Sequence, residues 1–348
     1  MKLLKIFSNV PRPLAYSAIL VAVMIAGGAY GLRRDDLFAC QGRYGADRYL
    51  AYCQAKNYGD YDYGAFWFGL ESDTRNAARN AQVLFLGNSR MQFGLSTIPT
   101  ATWFSSRFIR HYLLGFAYNG NAPFAALLLA RVRPTAKVYV INVDRFFEDS
   151  LPTPAIAVIR DSSAKSRYVR KRLWQRVHRS LCGRVDTFCG HEIGFYRSRL
   201  TGAWTADGGV FRSDSVVYEP TVDKATVEAY AANTRRFVAQ LPVSRECVIL
   251  TNVPTAPILH RTGIGTVNAI ADAVGLRLVA PRIGGLRTFD GSHLDRVSAE
   301  RWSAAFIDAA APWIEKCFHE RTRSAGRDSH VAEGLPRRVA SGRSAPQQ

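Results

Sequence analysis

The stretch Val83-Leu84-Phe85-Leu86-Gly87-Asn88-Ser89-Arg90 decides how the fold is read. Four apolar residues halted by glycine make a run that is apolar on both faces. That is the pattern of a strand buried in a parallel sheet, not of one alternating toward solvent. Further runs repeat it outward along the chain. Tyr112 to Tyr118 ends at Asn119-Gly120, Val138 to Val143 reads VYVINV, Cys247 to Asn252 reads CVILTN, and Leu276 to Ala280 gives a short fifth strand. Helical spacing lies between them. Pro123 opens an apolar helix over Phe124 to Val132, because proline is tolerated in a first turn. Val227, Tyr230, Ala231, Thr234, Phe237, Val238 and Leu241 recur with helical period, as do Trp302, Ala305, Phe306, Ala309 and Trp313, with Ser298 as the expected N-cap. Strands alternating with helices predict an α/β fold with a central parallel sheet covered on both faces.

The chain has 348 residues, enough for one large domain or two modest ones. Hydrophobic residues are 47% and charged residues 21%, which supports a full core and excludes global disorder. The formal net charge is +18, which points to an anionic partner or surface and says nothing about fold. Residues 33–79, rich in Tyr, Gly and Asp, read as a loop-rich lead-in. Residues 80–318 carry the α/β pattern. Within them, about 151–220 reads as an insertion or lid, and 160–199 alone holds eleven Lys/Arg against three acids. Residues 319–348 lack periodicity and read as a disordered basic tail.

Residues 1–13 carry Lys2, Lys5 and Arg12, and Leu14 to Leu32 follow without a charge. Nineteen helical residues span ~28 Å, close to the hydrocarbon thickness of a bilayer. The preceding cations favour a cytoplasmic N-terminus, so the rest of the chain is expected outside the cytoplasm. An uncleaved anchor over 14–32 is the first reading, and a cleaved signal peptide ending near Ala26-Gly27-Gly28-Ala29 is the second. All six cysteines follow this segment. An even count in an oxidising compartment suggests disulfides, with Cys40–Cys53, Cys182–Cys189 and Cys247–Cys317 as the expected pairs and buried thiols as the alternative. No metal-ligand spacing is apparent, and no cofactor is called for.

In doubly wound sheets, ligands bind beyond the carboxyl ends of the strands. The polar residues at those ends are Asn88-Ser89-Arg90, Asn119-Gly120-Asn121, Asp144, Asn252 with Thr255, and Asp290-Gly291-Ser292-His293 before the last helix. A hydroxyl needs a base to become a nucleophile, and an imidazole needs a carboxylate to fix its tautomer. Ser89 on a strand-to-helix turn, with Asp290 and His293 three apart on one loop, meets that requirement. Trp204 is the better candidate for a sugar platform, since Trp302 and Trp313 lie on a core stripe. His178, His191 and His260 read as structural.

Val83-Leu-Phe-Leu-Gly-Asn-Ser89-Arg and Asp290-Gly-Ser-His293, in that order, resemble the first and last blocks of the SGNH (GDSL-like) hydrolase superfamily. Asn88 stands for the family's aspartate, and Asn119-Gly120 fits its glycine block. The resemblance covers about residues 80–318, outside the basic insertion. It implies a three-layer α/β/α fold and ester chemistry. Ser89 would be the nucleophile, His293 the general base and then acid, and Asp290 the orienter. The oxyanion donors would be the N–H groups of Ser89 and Gly120. The family's third donor is an asparagine in a G-x-N-D block. Here the sequence reads Asn142-Val143-Asp144-Arg145, and an ionised Asp144 cannot donate. Asn142, Asn121 and Asn252 are the substitutes, with Asn142 placed in the oxyanion set and Asn121 beside the substrate. Arg90 either binds an anionic group of the substrate or pairs with a nearby acid.

The anchor and the diverged first block are similar to membrane-anchored members that serve polysaccharide or cell-wall acylation. The resemblance therefore implies a single-pass protein of a bacterial inner membrane with its main domain in the periplasm. It would transfer or remove an O-acyl group, acetyl being expected, on a cell-surface polysaccharide. A membrane-bound acyl-donor protein is the expected partner and nucleic acid is not. The alternative is a non-catalytic SGNH-like scaffold or glycan-binding component of a polysaccharide assembly complex.

Overall fold

The computed structural model describes residues 12–56, 58–117, 120–182, 184, 189–207, 213–257 and 262–332. In chain order these form α1 (Arg12–Asp35), a 3-10 turn (Leu37–Ala39), β1 (Arg48–Cys53), β2 (Gly59–Asp60), α2 (Asp62–Phe68) and α3 (Ser72–Asn80). Then come β3 (Val83–Asn88), α4 (Ser89–Leu95), α5 (Ile98–Ser106), β4 (His111–Phe116), α6 (Ala122–Val132) and β5 (Val138–Asn142). The basic segment gives α7 (Thr153–Arg160), α8 (Ala164–Cys182), β6 (Gly194–Ser198), β7 (Trp204–Asp207) and β8 (Asp214–Ser215). The chain ends with α9 (Lys224–Val238), β9 (Val248–Thr251), α10 (Ile264–Val274), β10 (Arg277–Leu278), β11 (Arg287–Thr288) and α11 (Arg296–Ala332).

The five strands expected from the apolar runs form one parallel sheet in the order β10-β9-β5-β3-β4. Successive side chains leave a strand on opposite faces. On β3, Val83 and Phe85 join one buried cluster with Trp302 and Phe306 of α11, while Leu84 and Leu86 join another with Phe124 of α6 and Phe237 of α9. Helices thus cover both faces, consistent with three α/β/α layers. Counted along this sheet alone, the strand order is 2-1-3-4-5, and its connectivity reverses between β3 and β5.

The lead-in differs from expectation. It holds β1, β2, α2 and α3, and β1 pairs antiparallel with β6 of the basic segment. The result is an accessory sheet in the order β2-β1-β6-β7. Its two long strands pair across some 150 residues (Arg48 opposite Ser198); the apolar run Tyr49-Leu50-Ala51-Tyr52-Cys53 was the available signal for β1, while β6 and β7 mix Gly, Arg, Ser, Thr and Asp with their apolar residues. This layer covers the free edge of β4. The Leu113 amide donates to the Thr201 carbonyl (2.8 Å), and Arg197 donates to the carbonyls of Leu113 (2.7 Å) and Gly115. Arg197 is fully buried, paired with Asp62 (2.7 Å), and Asp62 also accepts from the Tyr49 hydroxyl. An open strand edge exposes unpaired N–H and C=O groups; here the Thr201 carbonyl takes the amide and a buried guanidinium takes the carbonyls. Gly202 makes the approach possible: at φ 71°, an added Cβ would lie 2.3 Å from the Leu113 carbonyl oxygen.

Three disulfides form, Cys40–Cys53, Cys182–Cys189 and Cys247–Cys317. Ser298 is not the cap of α11: the Asp295 carboxylate accepts its amide, while the Ser298 hydroxyl accepts from the Arg287 amide. The last helix runs to Ala332, past the expected start of the tail at 319, and residues 333–348 lie outside the described set. At the other end, the uncharged stretch is helical as α1, with Leu14, Ile19, Leu20, Val23 and Ile25 exposed. Among the described residues, no helix is long and apolar enough to cross a membrane.

Candidate active site

The site is built where β3 stops. Asn88 is the N-cap of α4: its backbone is extended (φ −107°, ψ −164°) and its Oδ1 accepts from the Arg90 amide at 3.0 Å. This cap turns the chain abruptly and makes Ser89 the first residue of α4. Ser89 therefore stands beyond the carboxyl end of β3, next to the connectivity reversal, where open α/β sheets bind ligands.

The loop before α11 is held by Asp290. Its Oδ1 accepts the amides of Ser292 (2.9 Å) and His293 (2.8 Å), and its Oδ2 faces His293 Nδ1 at 2.7 Å. The Phe289 amide donates to the His293 carbonyl (2.9 Å), closing the turn. His293 Nε2 lies 2.8 Å from Ser89 Oγ. With Asp290 ionised, Nδ1 carries the proton and Nε2 offers its lone pair to the serine hydroxyl. Partial burial pushes the Asp290 carboxyl up. The His293 hydrogen bond and charge, with the two backbone N–H groups, outweigh this and hold it below the ordinary carboxylate range.

Aromatic rings fix the imidazole. Phe289 stacks on it (centroids 5.5 Å, planes 20° apart) and Phe93 meets it edge-on (4.9 Å). Phe93 in turn touches Phe195 and Trp204 of the accessory sheet, so that layer supports the site as well as the edge of β4. Trp204 is 2% exposed, which overturns its reading as a sugar platform: its ring fills this aromatic cluster. The sequence reading missed both phenylalanines. Their places beside Asp290 and one turn after Ser89 were the available signal.

Arg90 is paired with an acid rather than free. Its Nη1 pairs with Asp144 Oδ1 (2.6 Å) and its Nε donates to Ser292 Oγ (3.0 Å). Asn88 Nδ2 donates to the other Asp144 oxygen (2.7 Å). The Asp144 charge is thus balanced by the guanidinium. The same guanidinium ties the serine turn, the end of β5 and the histidine loop together.

The remaining expected residues divide. Gly120 is buried at the carboxyl ends of β3 and β4; an added Cβ would lie 2.9 Å from Phe116 Cβ and 3.2 Å from the Gly87 carbonyl oxygen. Close approach, not a left-handed backbone, requires glycine there. Its predicted neighbour Asn119 lies outside the described residues, as does His260. Asn142 is fully buried; its Oδ1 accepts the Val253 amide (2.9 Å), and among the described residues its Nδ2 has no partner. With no exposure to the cleft, it is not placed as an oxyanion donor to an incoming ester. Asn121 is 2% exposed and donates to the Ser150 carbonyl, which makes it a loop clamp rather than a substrate contact. Of the three candidate asparagines, Asn252 lines a small pocket beside the site with Arg90, Asp144 and Thr255, a pocket that neither Ser89 nor His293 lines.

His178 is structural: buried, it faces the Tyr44 hydroxyl through Nδ1 (2.9 Å) and the Cys40 carbonyl through Nε2 (3.2 Å). Burial lowers it to about 4, so it is neutral near pH 7. It lies close to Cys182 and Cys189, whose sulfurs are joined to each other and offer no thiolate. Compared with known proteins, the chain matches no protein-family model, no curated protein and no solved structure.

Proposed function

We propose that the protein is an SGNH-like, serine-dependent O-acyltransferase or esterase of the cell exterior. It is held by α1 in a bacterial inner membrane and acts on a surface polysaccharide. The observation that carries this reading is the relay Ser89 Oγ to His293 Nε2 (2.8 Å) and His293 Nδ1 to Asp290 Oδ2 (2.7 Å), at the ligand-binding end of the sheet. The anchor rests on the uncharged run Leu14 to Leu32 and the exposed apolar side chains of α1. The disulfides agree with export.

Ser89 Oγ attacks the carbonyl carbon of an acyl ester while His293 Nε2 takes its proton. The Asp290 carboxylate stabilises the imidazolium. Collapse of the tetrahedral adduct breaks the bond to the leaving alkoxide, which takes the proton from His293. The acyl group is then an ester of Ser89. Water or a sugar hydroxyl, deprotonated by the same imidazole, attacks that ester; the bond to Ser89 Oγ breaks and the serine takes back the proton from His293. The donors for the oxyanion are the N–H groups of Ser89 and Gly120.

The other reading keeps the fold as a non-catalytic, glycan-binding scaffold. It is favoured by one observation: the position of the third donor is taken by Asp144, already paired with Arg90. A fluorophosphonate probe separates the two. Labelling falls by about 10⁴-fold or more in Ser89→Ala and in His293→Ala if the relay is functional. Labelling equal to wild type in both variants leaves the scaffold.

A further inference from the structure

Helix α8 carries seven Lys/Arg and no acidic residue. One face is buried through Ala164, Tyr168, Gln175, His178 and Cys182. Along the outside runs an apolar ridge with four-residue spacing: Val169 (45% exposed), Leu173 (58%), Val177 (36%) and Leu181 (39%). Single exposed apolar residues are ordinary, but four in line are not. Between ridge and core, Arg172, Arg176 and Arg179 line a polar cavity with Arg48 and Arg199; Glu71, which pairs with Arg172 (3.8 Å) and Arg199 (2.8 Å), and Asp73 line it too, so its cations outnumber its acids by three. An apolar ridge edged by cations has the pattern of a helix lying in a membrane interface.

The location agrees. An added Cβ on Gly28 of α1 would lie 4.0 Å from the Trp174 ring of α8, so the exposed apolar surface of α1 continues into the ridge. Just after α1, Phe38 packs edge-on against His178 of α8 (4.9 Å), and the Cys40 carbonyl accepts from the same imidazole. Phe38 lies three positions beyond Asp35, a reach of at most about 10 Å. If α1 spans a bilayer as proposed above, the outer surface of that bilayer lies at α8.

We infer that α8 is an interfacial helix. It seats Val169, Leu173, Val177 and Leu181 among the acyl chains of an anionic leaflet, with the arginine cavity facing lipid phosphates. This rests on the anchoring part of the function proposed above and is independent of its chemistry.

The test uses the full chain reconstituted in phosphatidylcholine vesicles with or without about 30 mol% phosphatidylglycerol. The photoreactive residue p-benzoylphenylalanine replaces Leu173, Leu20 or the exposed Val222, one at a time. Lipid adducts are counted by mass spectrometry. Adducts at position 173 at least fivefold above position 222, and rising with phosphatidylglycerol, are the expected result. Adducts at 20 with none above background at 173 overturn the interfacial helix and leave the anchor standing. Adducts at 173 with none at 20 uphold the helix and sink the anchor. Absence at both sinks both, and crosslinks from 173 to a second protein chain replace the bilayer with self-association.

Discussion

The Ser89 edge and the accessory layer each hold a carboxyl group in a tight turn, and they treat it in opposite ways. Asp290 is about one-third exposed and receives three donors, two backbone amides and the His293 ring. Its carboxyl is held low, and it stays charged. Asp60 is buried at 9% exposure. Its Oδ1 accepts the amides of Asp62 and Tyr63, but among the described residues its Oδ2 has no partner. Burial first, and the Asp62 charge second, push it up to about 8. Similar turns thus give an anion where a cation must be steadied and a neutral acid where only packing is needed.

That contrast can be broken first at the seam between the layers. Arg197→Ala strands Asp62 without its cation and uncaps β4, and is expected to cost about 3–5 kcal/mol in urea unfolding. A loss below about 1 kcal/mol would show that the seam is not held by this pair. Next is Asp60. Because its native value lies above that of the unfolded chain, the fold keeps a proton there that the unfolded state releases. This contribution is complete below about pH 4 and is lost as pH rises through about 8. Asp60→Asn should flatten the decline in stability across that window, by an amount on the order of a few kcal/mol. Asp290 has the reverse sign: its contribution is present above the ordinary carboxyl range and fades only as pH falls through its depressed value. A wild-type profile without an Asp60-dependent decline ends the comparison.

Smaller effects belong to the Ser89 edge. Arg90→Lys keeps a cation but loses the fork that joins Asp144 to Ser292, and should slow fluorophosphonate labelling of Ser89 by about 10²-fold with little change in melting temperature. Equal slowing and unfolding would mean that Arg90 serves stability alone. Phe289→Leu removes the ring stacked on His293, and labelling is expected to drop by about three- to tenfold. An unchanged rate would leave Phe93 as the sufficient support.

What the sequence disclosed follows from physical locality. Strands β3, β4, β5 and β9 of the central sheet are apolar runs buried on both faces, so each could be found by itself; only the edge strand β10, with Arg277 exposed, departs from that pattern. The relay was legible for a similar reason: Ser89 and the Asp290–His293 turn lie directly beyond such elements. Arg197 was hidden in a charged segment that reads as a solvated face, and nothing within a few residues of it reveals Asp62. The roles of Arg90 and Asn142 depended on neighbours that only the folded chain supplies. Against the pattern the chain resembles, positions 88 and 144 have exchanged amide and carboxylate, and one hydrogen bond joins them (2.7 Å). Neither position alone discloses that.

The cap over β4 has a consequence during synthesis. Strands β3, β4 and β5 are close together in the chain and can assemble early, whereas Arg197, Thr201 and Gly202 emerge only later. Until then the outer amides of β4 lie bare, a template for strand addition by any neighbouring polypeptide. If the chain is exported as proposed above, that vulnerable interval falls on the far side of the membrane, where a holdase would find its most adhesive client surface.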